Sequence, residues 1–97
     1  MTYTVQELAA EGILNEEAVV LDGFDAAIVG STEEGRAVYD FDRMVEVLME
    51  RDGMTDDEAI EFLEYNTIRA LPYMGSMRPI VMYQIPFEVE ADDDKGY

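Results

Sequence analysis

Carboxylates are the groups in this sequence that could do chemistry. Two pairs stand nearest to expected strand ends, Asp22 with Asp25 and Asp40 with Asp42. A carboxylate pair held in unlike environments can divide the roles of general acid and general base. The same residues have plainer uses, because Asp22-Gly23-Phe24-Asp25 has turn chemistry and Asp40 stands where a helix needs an N-cap. Asp40-x-Asp42 also offers oxygen ligands of the kind that Mg²⁺ or Ca²⁺ prefers. A calcium loop would need alternating ligands around a central glycine, and Gly53 is not set in such a pattern. A two-metal nuclease would keep a lysine near its carboxylates, and the single lysine, Lys95, stands in the expected tail. Nucleophilic serine chemistry of the serine–histidine kind is excluded, since Ser31 and Ser76 have no histidine to activate them. Cysteine is absent too, which removes thiol nucleophiles, thiolate metal sites and disulfides. The glycines of Gly30 to Gly35 enclose Glu33 and Glu34 and no lysine, so that loop would repel a phosphate. The sequence therefore assigns no catalytic residue, no cofactor and no metal ligand.

The acidic residues form a second and stronger pattern. On one expected helix Asp42, Glu46 and Glu50 recur at i, i+4 and i+8, about 6 Å apart along the axis. On the next, Asp57, Glu61 and Glu64 recur at i, i+4 and i+7, with Glu58 beside them. Like charges at these spacings cost a few tenths of a kcal/mol per pair, so helix stability does not select them. These seven residues are the candidate partner-binding set.

The whole chain carries the same bias. It has 23 Asp and Glu against 6 Lys and Arg, a formal net charge of −17, and no histidine. Such a field repels nucleic acid and anionic membranes and attracts basic surfaces. Duplex DNA bears one negative charge per roughly 1.7 Å of axis, so 17 charges match about 30 Å of duplex. A compact chain of this length has a radius of gyration of about 12 to 13 Å and a diameter near 30 Å. The carboxylate rows are thus dense enough to imitate backbone phosphates. Arg43 and Arg51 share the first of these helices and could make ordinary surface ion pairs with its acids.

The elements that must position these groups follow from periodicity and punctuation. At 97 residues the chain suits one domain, expected over residues 1–90, with a mobile acidic tail over 91–97. Thr4 to Gly12 reads as a short helix. Ala26 to Val29 and Arg36 to Tyr39 read as two antiparallel strands joined through the Gly30 to Gly35 loop. Asp40 caps a helix running to Asp52 and stopped by Gly53, with Tyr39 and Met44 as its hydrophobic staple. Thr55-Asp56-Asp57-Glu58 is a capping box opening a second helix over Asp56 to Ile68, with Met54 and Ala59 as staple. The four residues between the two helices make a tight helical hairpin. Pro72, Gly75 and Pro79 mark an irregular turn, and Ile80 to Ile85 reads as a third strand joining the same sheet. The fold class is α+β: a small antiparallel sheet of about three strands packed on a helical hairpin, plus a short N-terminal helix.

Met44, Leu48, Ile60, Phe62 and Leu63 belong to the expected core face of the hairpin. Tyr73, Met74, Met77 and Tyr83 are expected to pack in the core as well, although such a methionine- and tyrosine-rich segment also suits a partner or dimer surface. No apolar run has the length of a membrane span, and the sequence opens with neither a basic nor a hydrophobic leader, so a cytoplasmic location is expected.

Three stretches carry a resemblance: Asp22-Gly23-Phe24-Asp25-Ala26-Ala27-Ile28-Val29-Gly30, Val38-Tyr39-Asp40-Phe41-Asp42, and Met49-Glu50-Arg51-Asp52-Gly53-Met54-Thr55 followed by Glu58-Ala59-Ile60-Glu61-Phe62. Over about Val20 to Ile80 the chain resembles a group of small proteins of unknown function common in bacteriophage and prokaryotic genomes. The resemblance implies a viral or mobile-element setting and brings no activity with it. Members of that group run into a short glycine-containing end after the position of Asn66, whereas this chain continues from Tyr73 to Tyr97.

Together these observations lead to the expectation of a noncatalytic acidic interaction protein. Its partner would be a basic nucleic-acid-binding protein of a host, met by electrostatic mimicry of DNA, as in an anti-CRISPR or anti-restriction inhibitor of viral origin. It would have no direct contact with nucleic acid and none with membrane. The alternative is a small structural or regulatory module, possible as a homodimer through Tyr73 to Ile85, whose acidity serves solubility.

Overall fold

The computed structural model describes residues 3–85, and the tail expected over 91–97 lies outside the described residues. Local signals set the helices. Helix α1 spans Val5–Ala10, where Thr4 accepts from the Glu7 N–H and Glu7 returns a bond to the Thr4 N–H, a full capping box. Helix α2 spans Phe41–Asp52, and the Asp40 carboxylate accepts the Asp42 N–H at 3.0 Å. Gly53 ends it at φ 72°, the left-handed conformation a glycine adopts without steric cost. Helix α3 spans Asp56–Phe62 behind the second capping box, Thr55 with Glu58. Its three first-turn carboxylates stand at the positive end of the helix dipole.

The helical path runs on to Ile68, as the sequence predicts, but Leu63–Ile68 is wound as a π-helix. The side-chain amide of Asn66 donates to the Phe62 carbonyl at 3.0 Å. In an α-helix that carbonyl would serve the Asn66 backbone N–H, so the side chain supports the widened turn.

Strand β1 is Ile28–Ser31, β2 is Ala37–Asp40 and β3 is Ile80–Met82, in the order β1-β2-β3. A 3₁₀ turn over Asp25–Ala27 takes the place of the first part of the strand expected from Ala26. The β1–β2 pair is antiparallel, with Ile28 opposite Tyr39, Ser31 opposite Ala37 and a bulge between Ile28 and Gly30. Its turn closes through the Thr32 N–H on the Arg36 carbonyl and the Arg36 N–H on the Thr32 hydroxyl. Strand β3 runs parallel to β2, with Val38 beside Ile80 and Asp40 beside Met82. The sheet is therefore mixed, which corrects the all-antiparallel expectation. Residues 41–79 provide the long crossover that parallel neighbours require.

The core gathers the inner faces of these elements. Tyr39, Met44, Leu48 and Leu63 are fully or almost fully buried, together with Ala27, Ala37 and Ala59. On α2 the residues Phe41, Met44, Val45 and Leu48 make one buried stripe, so Asp42, Glu46 and Glu50 point away from it. The Tyr39 hydroxyl accepts the Leu21 N–H at 2.9 Å, satisfying a backbone donor inside the core. Burial pushes the Tyr39 phenol above its usual range, and the charges of Asp25 and Asp22 push in the same direction.

Three expected core residues are exposed, and Met77 is half-buried outside the core cluster. Phe62 is 41% exposed, because it follows Ala59 and precedes Leu63 on a helix whose buried stripe those two residues define. Tyr73 is 89% and Tyr83 55% exposed. Tyr83 instead lays its ring on Phe41, with centroids 4.8 Å apart and the planes at 27°. Within the segment 69–79, Pro79 alone is buried.

Candidate functional site

The acids of the two rows are all exposed: Asp42, Glu46 and Glu50 on α2, Asp57, Glu58 and Glu61 on α3, and Glu64 in the π-helical segment. The capping box engages one oxygen of Glu58, Oε1, which accepts the Thr55 N–H at 2.9 Å. The Glu64 charge helps raise the Tyr83 phenol above its usual range, behind the larger effect of burial. That places the end of the second row close to the segment following β3.

Where the arginines go decides the character of this surface. Among the described residues the ion pairs are Arg36 with Glu34 at 3.9 Å and Arg51 with Asp52 at 3.1 Å. Neither includes one of the seven candidate acids. Arg51 also donates to the Gly23 carbonyl at 3.1 Å and lies 5.6 Å from the Phe24 ring centroid, so it braces α2 against the 22–24 turn. Arg36 donates to the Arg78 carbonyl, and Arg78 to the Gly75 carbonyl. Arg69 sits over the Tyr65 ring at 4.7 Å. Arg43 lines a depression of about 470 Å³ with Leu8, Ile13, Asp25, Ile28 and Val29. Among the described residues neither Arg43 nor Arg51 pairs with the α2 row, and Arg51 pairs with its neighbour Asp52 instead.

The pairs considered for catalysis are separated by their structural duties. Asp40 is 1% exposed, caps α2 through Oδ1 and accepts the Gln84 side-chain amide through Oδ2 at 2.7 Å. Asp42, two residues on, is exposed. Asp25 opens the 3₁₀ turn that precedes β1 and accepts the Val5 N–H at 3.2 Å, tying α1 to that turn, while Asp22 is exposed. Among the described residues no three metal-ligating side chains come together as a metal ion would need.

A shallow groove of about 540 Å³ runs beside the second acidic row, lined by Met54, Glu58, Glu61, Phe62, Tyr65 and Asn66. Sequence reasoning found its carboxylates and missed its aromatic residues. Phe62 and Tyr65 lie within one helical turn of each other and both are exposed, on either side of the change to π winding at Leu63.

No protein-family model matches the chain, and neither a curated protein nor a solved structure matches it. Among the described residues no helix is long and apolar enough to cross a membrane. The fold and surface together define a small α+β protein with two outward rows of carboxylates.

Proposed function

We propose that this protein is a noncatalytic interaction protein whose carboxylate rows on α2 and α3 occupy the basic nucleic-acid groove of another protein. The observation that carries the reading is the separation of charges. The seven acids are exposed and outside every ion pair among the described residues, while Arg36, Arg51, Arg69 and Arg78 are turned to carbonyls, aromatic rings or other acids. A surface selected for solubility alone gains nothing from like charges aligned at i and i+4, which weaken the helix that bears them.

In this reading the partner is a basic nucleic-acid-binding protein of the host, the setting is a phage-encoded inhibitor of a CRISPR or restriction complex, and the location is the host cytoplasm. The direct test is competition. The protein should displace duplex DNA from such a complex, with an affinity that falls steeply as salt rises. The Asp42→Asn/Glu46→Gln/Glu50→Gln variant should lose that ability while keeping its fold. Unchanged competition by the variant would remove the α2 row from the interface.

The exposure of Tyr73, Tyr83 and Ile85 favours a second reading, a homodimeric module closed through this segment. Light scattering on the purified protein separates the two, because the dimer would persist at high salt while the mimic's complex would not.

A further inference from the structure

We infer that the groove beside α3 is a socket for an arginine-bearing segment of the basic partner. The inference rests on the reading above and adds to it the side-chain chemistry by which the partner is recognised.

The groove combines two kinds of group that a guanidinium uses at once. Phe62 is 41% and Tyr65 68% exposed, so two aromatic side chains stand in solvent on a helix whose other apolar positions face the core. Glu58 and Glu61 line the same groove. The Glu61 carboxylate takes part in no hydrogen bond or ion pair among the described residues, and Glu58 has committed only Oε1 to its capping box. The Asn66 amide nitrogen is engaged on the Phe62 carbonyl, which leaves its oxygen as a further acceptor. The lining thus supplies acceptors, negative charge and ring faces, and contains no cationic side chain.

A planar guanidinium matches this set better than an ammonium. It stacks on a ring while its edge donates to a carboxylate, and it is the less strongly hydrated of the two cations. The protein already uses this chemistry at the margin of the groove, where Arg69 lies 4.7 Å from the Tyr65 ring centroid. A second guanidinium arriving from a partner would meet the Phe62 ring and the Glu61 carboxylate, with Arg69 as a nearby like charge opposing it.

The test is calorimetric titration of the full chain with blocked hexa-arginine and hexalysine peptides at low salt. Hexa-arginine is expected to bind about tenfold tighter, because a guanidinium stacks on the rings and reaches the carboxylates at once, which an ammonium does less well. The Phe62→Ala/Tyr65→Ala variant should lose most of that preference while binding hexalysine within about twofold of the parent. Both side chains are exposed, so folding should survive; Glu61→Gln is the companion variant and should weaken both peptides. Arg69→Gln should tighten hexa-arginine by about two- to fivefold. Equal affinity for the two peptides, or an arginine preference that survives removal of both rings, would overturn the inference and leave only a diffuse acidic field. A dimer dissociated by Tyr65→Ala would assign the groove to a second copy and overturn it equally. Failure of the underlying mimicry would show separately, as an inability to displace DNA.

Discussion

Asp40 and Gln84 meet across a separation of 44 residues, the Gln84 amide donating to Asp40 Oδ2 at 2.7 Å while Oδ1 holds the first turn of α2. One buried carboxylate thus fastens the chain beyond β3 to the start of the helix that displays the first acidic row. Asp40→Ala should destabilise the fold by about 1–3 kcal/mol, from loss of the cap and of a buried bond together. Gln84→Ala should cost less, about 1 kcal/mol. Urea denaturation of both variants checks the order, and a larger loss for Gln84→Ala would contradict it.

The Tyr39 phenol gives the fold an alkaline limit. Its pKa in the folded state is raised by burial, so the folded state holds this proton more tightly than the unfolded chain does. Stability from this group is complete below the unfolded value of about 10 and is lost as pH rises through the folded one. Denaturation midpoints measured upward from pH 9 should fall, and Tyr39→Phe should flatten that slope. At neutral pH the same variant should be less stable by about 1–2 kcal/mol, since the Leu21 N–H loses its acceptor.

Gly35 stands at φ +90°, and a Cβ there would lie 2.6 Å from the backbone nitrogen of Asn15. The Gly35 carbonyl accepts the Asn15 N–H at 3.0 Å, so neither chain can withdraw without breaking that bond. Gly35→Ala should cost about 1–3 kcal/mol in backbone strain, with the clash in addition. A thermal midpoint within a degree of the parent would show that the 32–36 turn relaxes freely.

Neutralising the α2 row should move stability and binding in opposite directions. Asp42 with Glu46 and Glu46 with Glu50 are like-charged i, i+4 pairs, whereas Asp42 alone stands in the first turn, where the helix dipole favours its charge, so Glu46→Gln/Glu50→Gln should stabilise the protein by about 0.4–1 kcal/mol at low salt. The gain should shrink as salt screens the row. A destabilised variant would mean that these carboxylates make stabilising contacts that the exposed row does not suggest.

The sequence by itself determined the parts of this protein governed by neighbours within four residues. Thr4, Asp40 and Thr55 cap their helices, Gly53 ends α2, and Thr32 to Arg36 turns the hairpin, because each signal and its partner lie on the same short stretch of chain. The outward placement of the acidic rows was legible for the same reason: a helix with one apolar stripe must turn its other side to water. Tertiary structure decided the rest. The parallel direction of β3 depends on where residues 41–79 deliver the chain, and period-two alternation is the same in either direction. The exposure of Phe62 and Tyr83 depends on which of several apolar side chains find room in a core already filled by Met44, Leu48 and Leu63. The π winding at Leu63, the turning of Arg51 toward Gly23 and the Asp40–Gln84 bond are likewise set by contacts that packing brings together. Local hydrogen bonding fixed the elements, and competition for a small core fixed how they meet and which aromatic residues are left at the acidic surface.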